Sequence, residues 1–133
     1  MNDQHKADLT CREDLAIAVM NLISTEEHLS FTIMKTGKKE YMPVLDAVRK
    51  LRINLLKMLI INNEGELWCI SKHLLAATMR QMEVATKYIT TDARKAQDML
   101  DSALSTYGLF WLMQQEDKKN DLKKPQKKKR MEK

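Results

Sequence analysis

The chain has 133 residues, of which 44% are hydrophobic and only 5% aromatic, and it carries a formal net charge of +5. This length predicts one domain that can bury a core without a structural metal or a disulfide framework, and two cysteines could not supply such a framework. The longest apolar runs, residues 15–20 and 109–113, are too short to cross a membrane, and no apolar stretch follows the N-terminus. We therefore expect a cytoplasmic protein without a transmembrane segment or a signal peptide.

The positive charge is concentrated at the C-terminal end of the chain. Residues 118–133 carry nine basic and two acidic side chains, a net charge of +7, whereas residues 1–117 carry a net charge of −2. The C-terminal segment has almost no apolar side chains, so it cannot bury enough surface to fold alone. The sequence therefore predicts a folded domain over residues 1–117 and a disordered lysine-rich tail over residues 118–133.

The composition of the folded part is typical of helices, because Leu, Met, Ala, Lys and Glu are abundant and Gly and Pro are scarce. The first helix is expected to begin at Thr10, whose hydroxyl would form a capping box with Glu13. Gly37 can adopt the left-handed conformation that ends a helix. Between these limits, apolar side chains recur at spacings of three and four residues, which indicates a helix with one buried face.

A second helix is expected to begin near Pro43, since the first helical turn does not need the N–H group that proline lacks. Its predicted bundle-facing stripe consists of Val44, Val48, Leu51, Leu55, Met58 and Asn62. The polar segment 62–65 then predicts a turn. A third helix with a wide apolar face is expected from Leu67 to Ile89.

Residues 90–92 (Thr, Thr, Asp) provide N-cap candidates for a fourth helix. Gly108 inside this helix costs about 1 kcal/mol relative to alanine, which favours a close backbone approach at that position. The side chains expected to pack are Ala96, Leu100, Ala103, Tyr107 and Phe110. Four helices with short connections predict an all-α, up-down-up-down antiparallel four-helix bundle, because a short loop makes consecutive helices neighbours.

Glu26 is the most informative polar residue, since the apolar stripe on both sides would turn its carboxylate toward the interior. In a helical hairpin centred on residue 39, Arg52 lies at the same height as Glu26, and Arg49 lies one turn away. A buried carboxylate needs a partner, so we expect a buried ion pair formed by Glu26 with Arg52 and Arg49. A catalytic or ligand-binding carboxylate is the alternative that these residues leave open.

A second polar set, Cys11, Cys69 and His73, is expected at the end of the bundle where helices 1 and 3 begin. Cys69 and His73 are four residues apart, a spacing that places two ligands of a soft metal on one helical face. Metal or redox chemistry is therefore one hypothesis for these residues. Two buried structural cysteines and a surface histidine are the simpler interpretation, and we expect no metal and no cofactor.

The lysine-rich tail could neutralise its charge on nucleic-acid phosphates, on an anionic membrane surface or on an acidic protein. A solubilising tail without a dedicated partner is the alternative. The candidate nucleic-acid contacts are Lys123, Lys124, Lys127, Lys128, Lys129 and Arg130. No aromatic side chain lies among them, so only nonspecific binding without base stacking is expected.

One end of the bundle has more apolar side chains than four helices are expected to cover. The end of helix 2, the start of helix 3 and the end of helix 4 meet there, and large exposed apolar patches usually mark binding surfaces. We therefore predict a homodimer interface that includes Ile60, Trp68, Phe110 and Trp111. The function that follows is a non-catalytic helical interaction module. A nucleic-acid-associated protein and a metal or redox protein are the alternatives.

Overall fold

A computed structural model describes residues 3–60 and 65–123, with side chains described over residues 8–60 and 65–115. Within these ranges the chain forms four α helices and one short 3-10 turn, and it contains no β strand. The helices are α1 (Asp3–Thr36), α2 (Met42–Leu59), α3 (Gly65–Tyr88) and α4 (Ala93–Lys123), and the 3-10 turn (Lys39–Tyr41) precedes α2. The helices pack against one another, which confirms the all-α four-helix bundle.

The first helix is longer than the sequence predicts. It begins at Asp3, so the capping box at Thr10 is wrong and Thr10 lies inside the helix. The preceding residues include strong helix formers such as Lys6 and Ala7, and neither Gly nor Pro interrupts them. The C-terminal end agrees with the prediction, because Gly37 has a φ of +70° and its N–H donates a hydrogen bond of 2.8 Å to the Ile33 carbonyl.

The boundaries of the later helices follow local signals. Pro43 lies in the first turn of α2, as predicted, but this helix ends at Leu59 rather than at Asn62, which lies outside the described residues. Asp92 is the predicted N-cap residue that acts on α4, since its Oδ1 accepts a hydrogen bond of 3.0 Å from the Lys95 backbone N–H.

The last helix continues to Lys123, six residues beyond the predicted end of the bundle domain. Segment 114–119 is rich in Gln, Glu and Lys, which favour helices, so the helix has no local reason to end at residue 117. The predicted disorder therefore does not begin at residue 118, and residues 124–133 lie outside the described part of the chain. The predicted close approach at Gly108 is also wrong, because a Cβ atom built there meets no neighbouring atom within 4 Å.

The four helices form two antiparallel hairpins. Glu26 on α1 pairs with Arg52 on α2, which fixes the first hairpin. In the second hairpin, the Gln114 side-chain amide donates a buried hydrogen bond of 2.8 Å to Ser71 Oγ. Contacts between α1 and α3 join the two hairpins.

The hydrophobic core lies where all four helices meet, and we call this region the core end. Its buried members are Ala16, Val19, Met20, Ile23, Leu56, Leu59, Ile60, Leu75 and Phe110. This set corrects the predicted stripe of α2. Val44, Leu51 and Met58 are exposed, whereas Arg52, Leu56 and Leu59 are the buried residues of that helix. The helix is apolar on more than one side, and its inward side is the one that places Arg52 against Glu26.

Candidate interaction surface

The ion pair between Glu26 and Arg52 is bidentate. Arg52 Nε donates to Glu26 Oε2 at 2.7 Å and Arg52 Nη2 donates to Oε1 at 2.9 Å. The Arg52 side chain is only 7% exposed and the Glu26 side chain 15%, so water competes little for the hydrogen bonds of this pair. Arg49 is exposed and lines a shallow groove with Ile33 and Met42 instead of joining the pair. The geometry is that of a structural contact, which holds α1 and α2 in register.

The four residues predicted to form a dimer interface are placed in the monomer's own core or against it. Phe110 is 0% exposed and Ile60 is 2% exposed, so neither is available on the surface. Trp68 and Trp111 are half-buried and pack against the core cluster. The prediction is therefore wrong for Ile60 and Phe110, which are buried in the core, and it stays a prediction for Trp68 and Trp111, near which Leu109 and Leu112 are each 51% exposed.

Trp111 makes contacts within α4 and with α1. Its ring packs edge-on against Phe110, with centroids 4.9 Å apart, and against Tyr107 at 6.0 Å. The guanidinium carbon of Arg12 lies 5.6 Å from the Trp111 ring centroid, in a cation–π contact that links α1 to α4. Sequence spacing predicts the aromatic neighbours on α4 but gives no signal for Arg12.

The predicted metal candidates do not form a site. Cys11 and Cys69 are free and exposed, and His73 is exposed as well, so the expectation of buried cysteines is wrong. Across the described residues, no group of three or more His, Cys, Asp or Glu side chains could hold a metal ion. The spacing of Cys69 and His73 does place them on one helical face, but that face points to solvent.

The basic residues proposed for nucleic-acid contact fall almost entirely outside the described part of the chain. Lys123 is the last residue of α4, and its side chain is not among those described. The others, Lys124, Lys127, Lys128, Lys129 and Arg130, lie in segment 124–133. Their role remains a prediction from charge alone.

A groove that the sequence did not predict lies between α1, α3 and α4. We call it the apolar groove. Its volume is about 480 Å³. One wall is α1, the floor is α3 and the other wall is α4. The lining residues are Glu13, Ile17, Met20, Asn21, Thr78, Met79, Met82, Leu100, Ala103, Leu104 and Tyr107. Most of these side chains are apolar, so the groove is suited to binding another apolar surface.

Several side chains of the apolar groove project into solvent. Leu104 is 70% exposed, Ile17 is 49% exposed, and Met82 and Leu100 are each about two-fifths exposed. A signal for the α4 wall was present in the sequence, since Leu100, Leu104, Tyr107 and Trp111 recur at spacings of four and three. The sequence could not show that α1 and α3 would extend this stripe into a groove.

Charges of both signs lie near the apolar groove, because Arg12 precedes Glu13 on α1 and contacts the Trp111 ring on α4. Glu13 lies in its lining, and Asp14 is exposed beside it on α1. Asp101 is exposed on α4, where its Oδ1 accepts a hydrogen bond of 2.9 Å from the Gln97 amide. Asp14 and Asp101 are not part of the groove lining, in which Glu13 is the charged residue.

The opposite side of the bundle presents an unpartnered face of α2, which we call the outer face of α2. Val44, Leu51 and Met58 follow one another at intervals of seven residues and are 47%, 55% and 67% exposed. Lys50 and Lys57 are both exposed next to this stripe, and Lys50 Nζ lies 2.7 Å from Asp46 Oδ2 in an ion pair on the same helix. The outer face of α2 is therefore apolar along its centre, and the charged residues beside it include acidic Asp46 as well as basic Lys50 and Lys57.

A second groove beside α1 has both polar and apolar side chains in its lining. It is lined by α1 and α3 and includes Glu27, His28 and Arg80. Arg80 Nε lies 3.9 Å from Glu27 Oε2, and both side chains are more than a third exposed. An ion pair of this length and exposure contributes little to stability.

No helix in the described ranges combines the length and the apolar character that crossing a membrane requires. When the chain is compared with protein-family models, with curated proteins and with solved structures, it matches none of them.

Proposed function

We propose that the chain is a non-catalytic helical interaction module that assembles as a homodimer, and that the apolar groove is its binding surface. The observation that carries this proposal is the exposure of large apolar side chains around one groove, with Leu104 70% exposed and Ile17 49% exposed. A fully exposed side chain of this size forgoes roughly 1.5–3 kcal/mol relative to full burial, and a half-exposed one about half of that, so covering these side chains favours association. A two-fold pair of identical chains is the commonest way to cover such a surface.

The apolar groove and the core end differ in how far the monomer buries their apolar side chains. At the core end, Phe110 and Leu56 are each 0% exposed because four helices surround them. Only three helices line the apolar groove, and α2 packs on α1 without lining it. A helix from another chain would cover the apolar side chains that the monomer leaves exposed in the groove.

The test is sedimentation equilibrium of the full chain over a range of concentrations, compared with Leu104→Glu. We expect the unmodified chain to form dimers and Leu104→Glu to be monomeric with the same helical circular dichroism, since Leu104 is too exposed to be needed for folding. Ser105→Glu is the matched control, because it adds the same charge at the neighbouring exposed position. An unmodified chain that stays monomeric at every concentration would contradict the proposal.

A further inference from the structure

We infer that a cleft between α1, α2 and α3 binds a small zwitterion of the α-amino-acid class, and we call it the charged cleft. This inference goes beyond the proposed function and does not depend on it, because no residue of the apolar groove lines this cleft. The volume of the charged cleft is about 260 Å³. Its charged lining residues are Glu26 and Glu27 from α1, Arg52 from α2 and Lys72 from α3.

Two of these charged side chains are already paired with each other. Both carboxylate oxygens of Glu26 accept hydrogen bonds from Arg52, at 2.7 and 2.9 Å. The charges left for a ligand are therefore those of Lys72 and Glu27. Lys72 is half-buried, and it has neither a hydrogen-bond partner nor an ion-pair partner among the described residues. A half-buried ammonium group without a carboxylate partner is favourable for the anionic group of a ligand.

Glu27 provides the opposite charge on α1. Its Oε2 lies 3.9 Å from Arg80 Nε, whereas its Oε1 is buried and has no hydrogen-bond partner. A buried acceptor without a donor is destabilising, and a ligand ammonium group that donates to Glu27 would remove this cost. Glu27 and Lys72 line the same cleft without forming an ion pair with each other. The charged cleft therefore offers an acceptor for an ammonium group and a donor for a carboxylate.

The other charged residues of this region belong to the adjoining second groove. His28, Lys35, Arg80 and Glu83 line that groove but not the charged cleft. Within the cleft, two carboxylates and two cations balance each other. A ligand with one charge of each sign therefore matches the cleft better than a simple anion or a simple cation.

The size and the apolar wall of the charged cleft restrict the ligand further. Its volume lies below the range of about 300–1,000 Å³ that is usual for pockets of drug-sized ligands. Ile23, which is 7% exposed, and Phe31, which is 54% exposed, also line the cleft. An α-amino acid with a short apolar side chain has an ammonium group, a carboxylate and an apolar group that packs against Ile23 and Phe31.

The test is a ligand-observed NMR titration of the full chain with L-valine. N-acetyl-L-valine lacks the ammonium group and isobutylamine lacks the carboxylate, so we expect each analogue to bind about tenfold more weakly than L-valine, or weaker still. Glu27→Gln and Lys72→Gln are each expected to raise the dissociation constant for L-valine by about tenfold or more, because each removes one charged contact.

Two further measurements separate lost binding from lost structure. Helical circular dichroism should stay unchanged in Glu27→Gln and Lys72→Gln, because Glu27 has only a long, exposed ion pair and Lys72 has none. Lys87→Gln and Asp98→Asn are matched controls, since each removes one charge at an exposed position outside the cleft. We expect both control variants to bind L-valine as the unmodified chain does.

Three results would overturn the inference. Equal binding of L-valine and N-acetyl-L-valine would show a site for anions only. Equal binding of L-valine by the unmodified chain and by Glu27→Gln or Lys72→Gln would place the ligand outside the charged cleft. A chain that binds none of L-alanine, L-valine and L-leucine would have no such site. None of these results depends on whether the chain dimerises, so the proposed function stands or falls separately.

Discussion

The core end and the segment 24–51 both contain large apolar side chains but bury them to different extents. At the core end, large side chains such as Phe110 and Leu56 are fully buried. In residues 24–51 no side chain is buried, and Phe31 and Leu51 are both more than half exposed. Four helices meet at the core end, whereas α1 and α2 have few other neighbours over residues 24–51. Burial therefore depends on how many helices surround a side chain, not on its hydrophobicity alone.

The sharpest test of this difference applies the same substitution in both regions. We expect Phe110→Ala to lower the free energy of unfolding by about 3–5 kcal/mol, because it leaves a cavity in a fully packed site. Phe31→Ala removes a side chain that is 54% exposed and should cost less than about 0.5 kcal/mol. Urea denaturation measures both values. Equal losses would mean that residues 24–51 are packed as tightly as the core end.

The second prediction concerns what holds residues 24–51 together in place of an apolar core. Glu26→Ala should lower the free energy of unfolding by about 3 kcal/mol, since it leaves the buried Arg52 guanidinium without its carboxylate. Glu27→Ala should cost less than about 1 kcal/mol, because its contact with Arg80 is long and exposed. The measurement is the denaturation midpoint of the two variants. Identical midpoints would show that the ion pair is not the main stabilising contact of this region.

The smallest effect is expected at two glycines that both have free space around them but differ in backbone conformation. Gly108→Ala should raise the free energy of unfolding by about 0.5–1 kcal/mol, because alanine favours a helix and its methyl group meets no neighbour within 4 Å. Gly37→Ala should lower it by about 1 kcal/mol, since the φ of Gly37 is +70°. Thermal denaturation distinguishes the two signs. A loss of stability in Gly108→Ala would indicate that another surface already covers α4 at this point.

Local signals in the sequence predicted much of the secondary structure. The turn at Gly37, the helix start at Pro43 and the cap at Asp92 each depend on a few neighbouring residues, so they can be derived without knowing the fold. The capping box at Thr10 was wrong for a related reason. A capping motif permits a helix to begin but does not force it to begin when strong helix formers precede it.

The contact between Glu26 and Arg52 could also be derived from the sequence, because a short connection fixes the register of an antiparallel helical hairpin. The orientation of α2 about its own axis could not be derived from the sequence. This helix has apolar residues on two sides, and the predicted stripe containing Leu51 is the outward one.

The sequence by itself determined the helical class, the hairpin turns and one buried ion pair, since these depend on local propensity and on spacing along one chain. Only the tertiary structure decided that Phe110 is fully buried and that Leu100 is 40% exposed, although both belong to the predicted packing side of α4. It also decided that α1, α3 and α4 together form the apolar groove. The physical reason is that burial depends on which helices surround a side chain. The periodicity of apolar residues along one helix does not specify its neighbours.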